Sequence, residues 1–153
     1  MITITLEHPV QENLAHLHAR HTAAMHADTP PESIHMLPAD ALAAPGILFF
    51  VMRDDAQAVG MGAIKRLTSP DHGEIKSMHV LMEMRGRGLA RMLLDHLIAA
   101  AREEGLTRLS LETGAQPSFE AARLLYERAG FSYCDPFEGY RPDPNSVFMT
   151  LAI

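Results

Sequence analysis

The segment Arg85-Gly86-Arg87-Gly88-Leu89-Ala90 constrains this chain most, because it stands between an extended-looking stretch and a strongly periodic helix. From Leu89 to Glu104, the residues Ala90, Leu93, Leu94, Leu97, Ile98 and Ala101 recur on one helical face. Two glycines just ahead of that helix let the backbone turn sharply and come close to a ligand. The free N–H groups of the first turn and the helix dipole favour an anion there. Arg85, Arg87 and Arg91 add positive charge at the same spot, so the turn reads as a phosphate cradle. The missing Gly-Lys-Ser/Thr triplet disfavours a nucleotide P-loop.

The rest of the chain supplies a mixed α/β pattern. Ile2 to Leu6 alternates as a strand, and Gln11 to His26 has helical spacing, with Leu14, Leu17, His18, His21 and Met25 on one face. The breaker Asp28 to Ser33 precedes a short helix over Pro38 to Ala43 and a stop at Pro45-Gly46. Strands at Ile47 to Met52 and Val59 to Leu67 flank the turn Arg53 to Ala56, which predicts a hairpin. Glu74 to Leu81 reads as a strand, and Gly105 ends the periodic helix as a C-cap. Leu106 to Glu112 is a further strand, Ser118 caps a helix that Gly130 terminates, and extended pieces begin at Phe131 and at Val147. One central mixed sheet flanked by helices accommodates this order.

At 153 residues the chain is expected to form one domain, residues 1–153. A formal net charge of -6, with no basic stripe, argues against nucleic acid as a partner. No stretch is apolar for long enough to span a bilayer, so no membrane is expected, and the start lacks the pattern of a signal peptide. One cysteine, Cys134, excludes an internal disulfide and agrees with a cytoplasmic location.

Strand, Arg-x-x-Gly-x-Ala and helix together resemble the Gcn5-related N-acetyltransferases (GNAT). The resemblance extends from about Ile64 to Phe131. Glu74 to Val80 resembles that family's fourth strand, Leu109 to Gly114 its fifth, and Ala122 to Phe131 the helix that follows. The resemblance implies an acyl-CoA N-acyltransferase fold, a mixed central sheet whose parallel central strands splay apart to admit acetyl-CoA. Backbone groups of Met78, His79 and Val80 then pair with pantetheine, and the turn from Arg85 through Gly86, Arg87, Gly88 and Leu89 to Ala90, with Arg91, wraps the pyrophosphate. The implied activity is acetyl transfer from acetyl-CoA to an amine of a small molecule or peptide, by direct attack and without a metal.

An amine with a reference pKa of about 10.4 must lose a proton before it attacks. Glu74 occupies a position where some family members carry a general base; the other reading is a carboxylate paired with Lys76 or a nearby Arg. Tyr126 occupies the position of the acid that assists the thiolate leaving group, or it is a half-buried packing residue. The N–H of Met78 is a candidate for polarising the thioester carbonyl. Many relatives have an asparagine in the loop before the last helix that touches the cofactor, whereas here the loop reads Gly114-Ala115-Gln116-Pro117-Ser118, and the resemblance puts Gln116 or Ser118 in its place as the cofactor contact, with helix N-cap the other reading of Ser118.

His21 and His35 belong, by the same resemblance, to the acceptor pocket, and either is an alternative base to Glu74; Tyr140 and Arg141, in the loop before the last strand, border the same pocket. Arg141 either binds an acceptor carboxylate or is solvated. His16, His18, His21 and His26 share one helix without a zinc-like spacing. Cys134 reads as a buried structural cysteine, and Met78, Met82, Met84 and Met92 as core fillers. A homodimer agrees with the family's habit. Two alternatives come from other classes: an acyl-CoA-binding or regulatory module without turnover, and a histidine-based metal-binding protein.

Overall fold

A computed structural model describes residues 1–153. Seven strands form one sheet: β1 (Ile2–Leu6), β2 (Ile47–Asp54), β3 (Gln57–Arg66), β4 (His72–Val80), β5 (Arg108–Gly114), β6 (Ser132–Cys134) and β7 (Ser146–Ala152). Three α-helices accompany them: α1 (Ala15–Asp28), α2 (Leu89–Glu103) and α3 (Glu120–Arg128). The sheet order is β1-β2-β3-β4-β5-β7-β6, and every neighbouring pair is antiparallel except β4 with β5. Only that pair needs a long crossover, and α2 is in the crossover.

The hydrophobic pattern explains the layers. In α2, Leu89, Leu93, Leu94, Leu97, Ile98 and Ala101 are buried, which is the predicted stripe with Leu89 in place of the half-buried Ala90. Each large side chain of this kind contributes about 1.5–3 kcal/mol by leaving water. The helix rides close on β3 because Gly62 faces Leu97; an added Cβ there would lie 3.0 Å from Leu97 Cδ1. One core cluster joins Leu14 and Leu17 ahead of and within α1 to Val51, Val59, Met61 and Leu93, and a second joins Leu97 and Ile98 to Leu109, Leu111, Tyr126, Phe131 and Met149.

Several boundaries differ from those read in the sequence. The first helix begins as a 3-10 turn (Glu12–Leu14) and runs on to Asp28, and Ala39–Ala43 is also 3-10 rather than α. Ser118 does not cap α3: it lies exposed in a 3-10 turn (Pro117–Phe119), Phe119 holds the N-cap position, and no side chain bonds there. Proline at 117 starts the tighter turn first, and the helix proper begins only at Glu120. Met78 and Met84 do pack against the core, but Met82 and Met92 are 69% and 45% exposed. Cys134 is only part-buried because it sits on the edge strand β6. The hairpin forms as expected, with Asp55 in the left-handed region at φ 54°.

Candidate active site

The parallel pairing of β4 with β5 covers three residue pairs and ends at Glu74 with Ser110. Beyond it β4 runs on to Val80 and β5 to Gly114, so the facing edges part and lose each other as partners. Backbone N–H and C=O groups left this way need other partners. A bulge keeps β4 bonded to β3 across the same stretch: Met61 pairs with His79 and Ala63 with Lys76, so Ser77 and Met78 on β4 stand opposite Gly62 alone on β3. Ser77, inside that bulge, has φ 54°, an uncommon conformation for a residue with a side chain. Because of the extra residue, His79 falls on the same face as Lys76.

Past Val80 a 3-10 turn (Met82–Met84) leads into the glycine turn. Gly86 and Gly88 have φ 81° and 75°, and no protein atom lies within 4 Å of where a Cβ would stand on either. The glycines therefore serve the backbone turn and leave open space above it, which suits an approaching ligand. Gly88 is the N-cap of α2, and no side chain occupies the helix start. Arg85 to Gly88 are exposed. Arg87 stands 3.8 Å from Asp54, whereas Arg91 turns aside to Asp95 at 2.9 Å and to the Arg128 carbonyl at 3.4 Å.

On the sheet face shared by Glu74 and Lys76, three side chains close a triangle. Tyr140 donates to Glu74 Oε2 at 2.6 Å, Lys76 Nζ donates to the same oxygen at 3.1 Å, and Lys76 also donates to the Tyr140 hydroxyl at 2.9 Å. Burial and the Glu74 carboxylate hold the Tyr140 phenol far above its ordinary range. Tyr140 belongs to a strap, residues 135–145, held at two further points: Glu138 accepts from Thr68 at 3.0 Å, and Asp143 accepts from Ser33 at 2.6 Å. His35 meets the Tyr140 ring edge-on at 5.2 Å, and Phe137 and Phe148 flank it at 5.2 and 5.4 Å. Glu112, on β5, is driven upward from the usual carboxylate value by burial, against the pull of Ser146, His35 and Lys76.

Farther along β4, His79 meets His21 of α1 at 5.3 Å. Burial, followed by the His79 charge, brings His21 down to about 4; burial, followed by Arg85 and Arg20, brings His79 down to about 4. Both imidazoles are therefore neutral at neutral pH. On the other side of the strands Tyr126 is 7% exposed and packs edge-on against Phe131 at 5.7 Å. Burial alone raises its phenol well above the ordinary value, and no protein group bonds its hydroxyl.

The structure thus brings Glu74, Tyr140 and His35 together, places His21 beside His79, and sets the parted strands ahead of the glycine turn. Arg141 is exposed without an ion pair, and Ser118 lies at the surface. Sequence reasoning missed Glu112 and the aromatic flank of Phe137 and Phe148. Period-two alternation in Leu109-Ser110-Leu111-Glu112 was the available signal, since it sets Glu112 opposite the core leucines. No group of three or more His, Cys, Asp or Glu is arranged to hold a metal ion, as His16 and His18 bond the carbonyls of Ala58 and Pro9. No helix is long and apolar enough to cross a membrane.

Parted parallel strands that lead onto a glycine-bearing helix start define a mixed α/β protein with an open backbone turn ahead of α2. The chain belongs to the acetyltransferase (GNAT) family, whose model matches residues 12–131. It is 48% identical over 130 residues to the uncharacterized N-acetyltransferase YsnE of Bacillus subtilis, covering 85% of each chain. An IAA acetyltransferase of Azospirillum brasilense is 39% identical over 149 residues, 97% of this chain and 95% of that one. Among solved structures, a Klebsiella pneumoniae protein assigned as an acyl-CoA N-acyltransferase superposes with a TM-score of 0.81 at 33% identity, over 99% of this chain and 97% of the other. A Bacillus subtilis acetyltransferase in complex with CoA shares the fold with a TM-score of 0.72 at 17% identity, over 100% and 99% of the chains. The protein is accordingly an enzyme of the N-acetyltransferase class.

Proposed function

We propose that this enzyme moves an acetyl group from acetyl-CoA to a primary amine of a small molecule or peptide, by direct attack of the amine on the thioester. The observation that carries the reading is the end of β4–β5 pairing at Glu74, which leaves a wedge with a buried carboxylate at its vertex. The CoA complex of the structurally similar Bacillus subtilis protein supports the same donor. In this reading acetyl-CoA supplies the activated acyl group. Met78, His79 and Val80 offer backbone partners to its pantetheine arm, and the N–H groups from Gly86 to Ala90, with Arg85 and Arg87, hold its pyrophosphate.

Glu74 takes the proton of the incoming ammonium, which frees the nitrogen lone pair to attack the carbonyl. When the carbon–sulfur bond breaks, the Tyr126 hydroxyl donates to the departing sulfur. The phenol, kept protonated by burial, can give the sulfur a hydrogen bond, and its hydroxyl has no competing protein partner. His21, His35, Tyr140 and Arg141 border the acceptor.

Calorimetry tests the donor site. Wild-type protein binds acetyl-CoA in the micromolar range, and Gly88→Trp, which strains the left-handed turn and fills the open space over it, abolishes binding while circular dichroism stays native. No binding by the wild type, or binding untouched by the tryptophan, removes the donor assignment. Thioester consumption across aliphatic, aromatic, amino-acid and peptide amines then identifies the acceptor, and binding without consumption of any of them identifies a non-catalytic module instead.

A further inference from the structure

Every hydrogen bond that the protein makes to the Glu74 carboxylate falls on one oxygen. Oε2 accepts from Tyr140 at 2.6 Å and from Lys76 at 3.1 Å, and Oε1 accepts from no protein group. The Glu74 and Lys76 side chains are only 4% and 9% exposed. A buried ion pair of this kind is weak support for a fold, because well-packed apolar residues of similar volume often serve stability as well or better. Tyr140 is separated from Glu74 by 66 positions in sequence, yet its hydroxyl completes the triangle while Lys76 lies 5.6 Å from its ring centroid. The triangle also stands at the last residue pair before β4 and β5 part.

Resting on the reading of Glu74 as the base, we propose that Lys76 and Tyr140 are its positioning pair: they pin Oε2, which leaves Oε1 to take the proton from the acceptor's amine. In that step one N–H bond of the ammonium breaks, one O–H bond forms on Oε1, and the electron pair stays on nitrogen for the attack. Two consequences follow for the pocket. The single Tyr140 hydroxyl proton is committed to Glu74, so Tyr140 meets the acceptor through its ring and not through a donated hydrogen bond. The strap that carries Tyr140, latched at Thr68 and Ser33, must be in place for the base to be set.

The charged and titratable groups facing Glu74 are Lys76 and His72 from its own strand, Glu112 from β5 and Tyr140 from the strap, with His35 behind the tyrosine ring. Tyr140→Phe removes one hydroxyl and keeps the ring contacts with His35, Phe137 and Phe148. Lys76→Met removes the cation with little change in volume.

The test is steady-state kinetics with acetyl-CoA and whichever panel amine the wild type turns over fastest, across roughly pH 5 to 9. The loss of a hydrogen bond to a charged group corresponds to about a 10-fold fall in kcat for Tyr140→Phe, and the loss of the countercharge to about 100-fold for Lys76→Met. In both variants kcat falls while KM for acetyl-CoA stays within about twofold. In a Glu74→Gln background Tyr140→Phe causes no further loss, because the pair acts through that carboxylate. Unchanged kcat in Tyr140→Phe overturns the proposal, as does an equal loss with and without Glu74. Should Lys76→Met fail to fold, Tyr140→Phe decides alone. A fully active Glu74→Gln, or no turnover of any amine, instead removes the base assignment on which the pair depends.

Discussion

Histidine 21 offers a direct test of how the wall between α1 and β4 is built. It is 8% exposed, makes no protein hydrogen bond, and faces His79 at 5.3 Å. Burial, then the charges of His79 and His18, lowers its titration from 6.5 to about 4. The unfolded chain therefore takes up a proton at higher pH than the folded one. The resulting stability is full above pH 6.5 and is lost as pH falls toward 4. Linkage between those two values gives a loss of about 2 kcal/mol at pH 5 and about 3 kcal/mol at pH 4 from this group alone. His21→Leu keeps the volume and removes the titration. Urea unfolding of both proteins at pH 7, 6, 5 and 4 is the assay. Other histidines and carboxylates titrate in both, so the difference between the two proteins isolates position 21. Near-equal stability at pH 7 should widen to an advantage of about 3 kcal/mol for the leucine variant at pH 4. Parallel pH curves would show that His21 is not held neutral by burial, and the packing assigned to this wall would be wrong.

Two further outcomes follow from the same geometry. Gly73→Ala places a Cβ 2.6 Å from Leu106 Cδ1 and 3.2 Å from both Ile64 Cγ2 and Leu109 Cδ2, at the root of the parallel pairing. Overpacking of this size costs about 1–3 kcal/mol, so a thermal melt should fall by several degrees, and an unchanged melt would mean that β4 and β5 adjust freely. Tyr126→Phe should leave the melting temperature within about 2 °C, since no protein hydrogen bond is lost, while lowering kcat about 10-fold or more. A drop in stability with turnover intact would mark Tyr126 as a packing residue only.

Much of the scaffold was legible in local pattern. The stripe from Leu89 to Ala101 predicted α2, glycines at 105 and 130 predicted the ends of α2 and α3, and both have positive φ, 81° and 103°. These features depend on neighbours within a few residues, so periodicity and backbone preference suffice to read them. The misreadings were local competitions. Ser118 looked like a cap, but Pro117 began a 3-10 turn first; Met82 and Met92 looked like core residues, but the turn and the helix face that carry them point to solvent.

The candidate site divides in the same way. Local pattern alone placed the glycine turn between a strand and a helix, whereas Glu74 and Tyr126 entered as candidates through the family resemblance of the strand and helix that carry them. Tertiary structure alone decided what surrounds them. The bulge at Ser77 turned His79 onto the face of Lys76 and toward His21, which depends on one extra residue in a strand pairing. Similarly, the strap brought Tyr140 to Glu74 across 66 positions, and β5 set Glu112 nearby. Sequence records spacing along one chain, whereas the state of a carboxylate depends on which charges and donors the fold delivers from elsewhere.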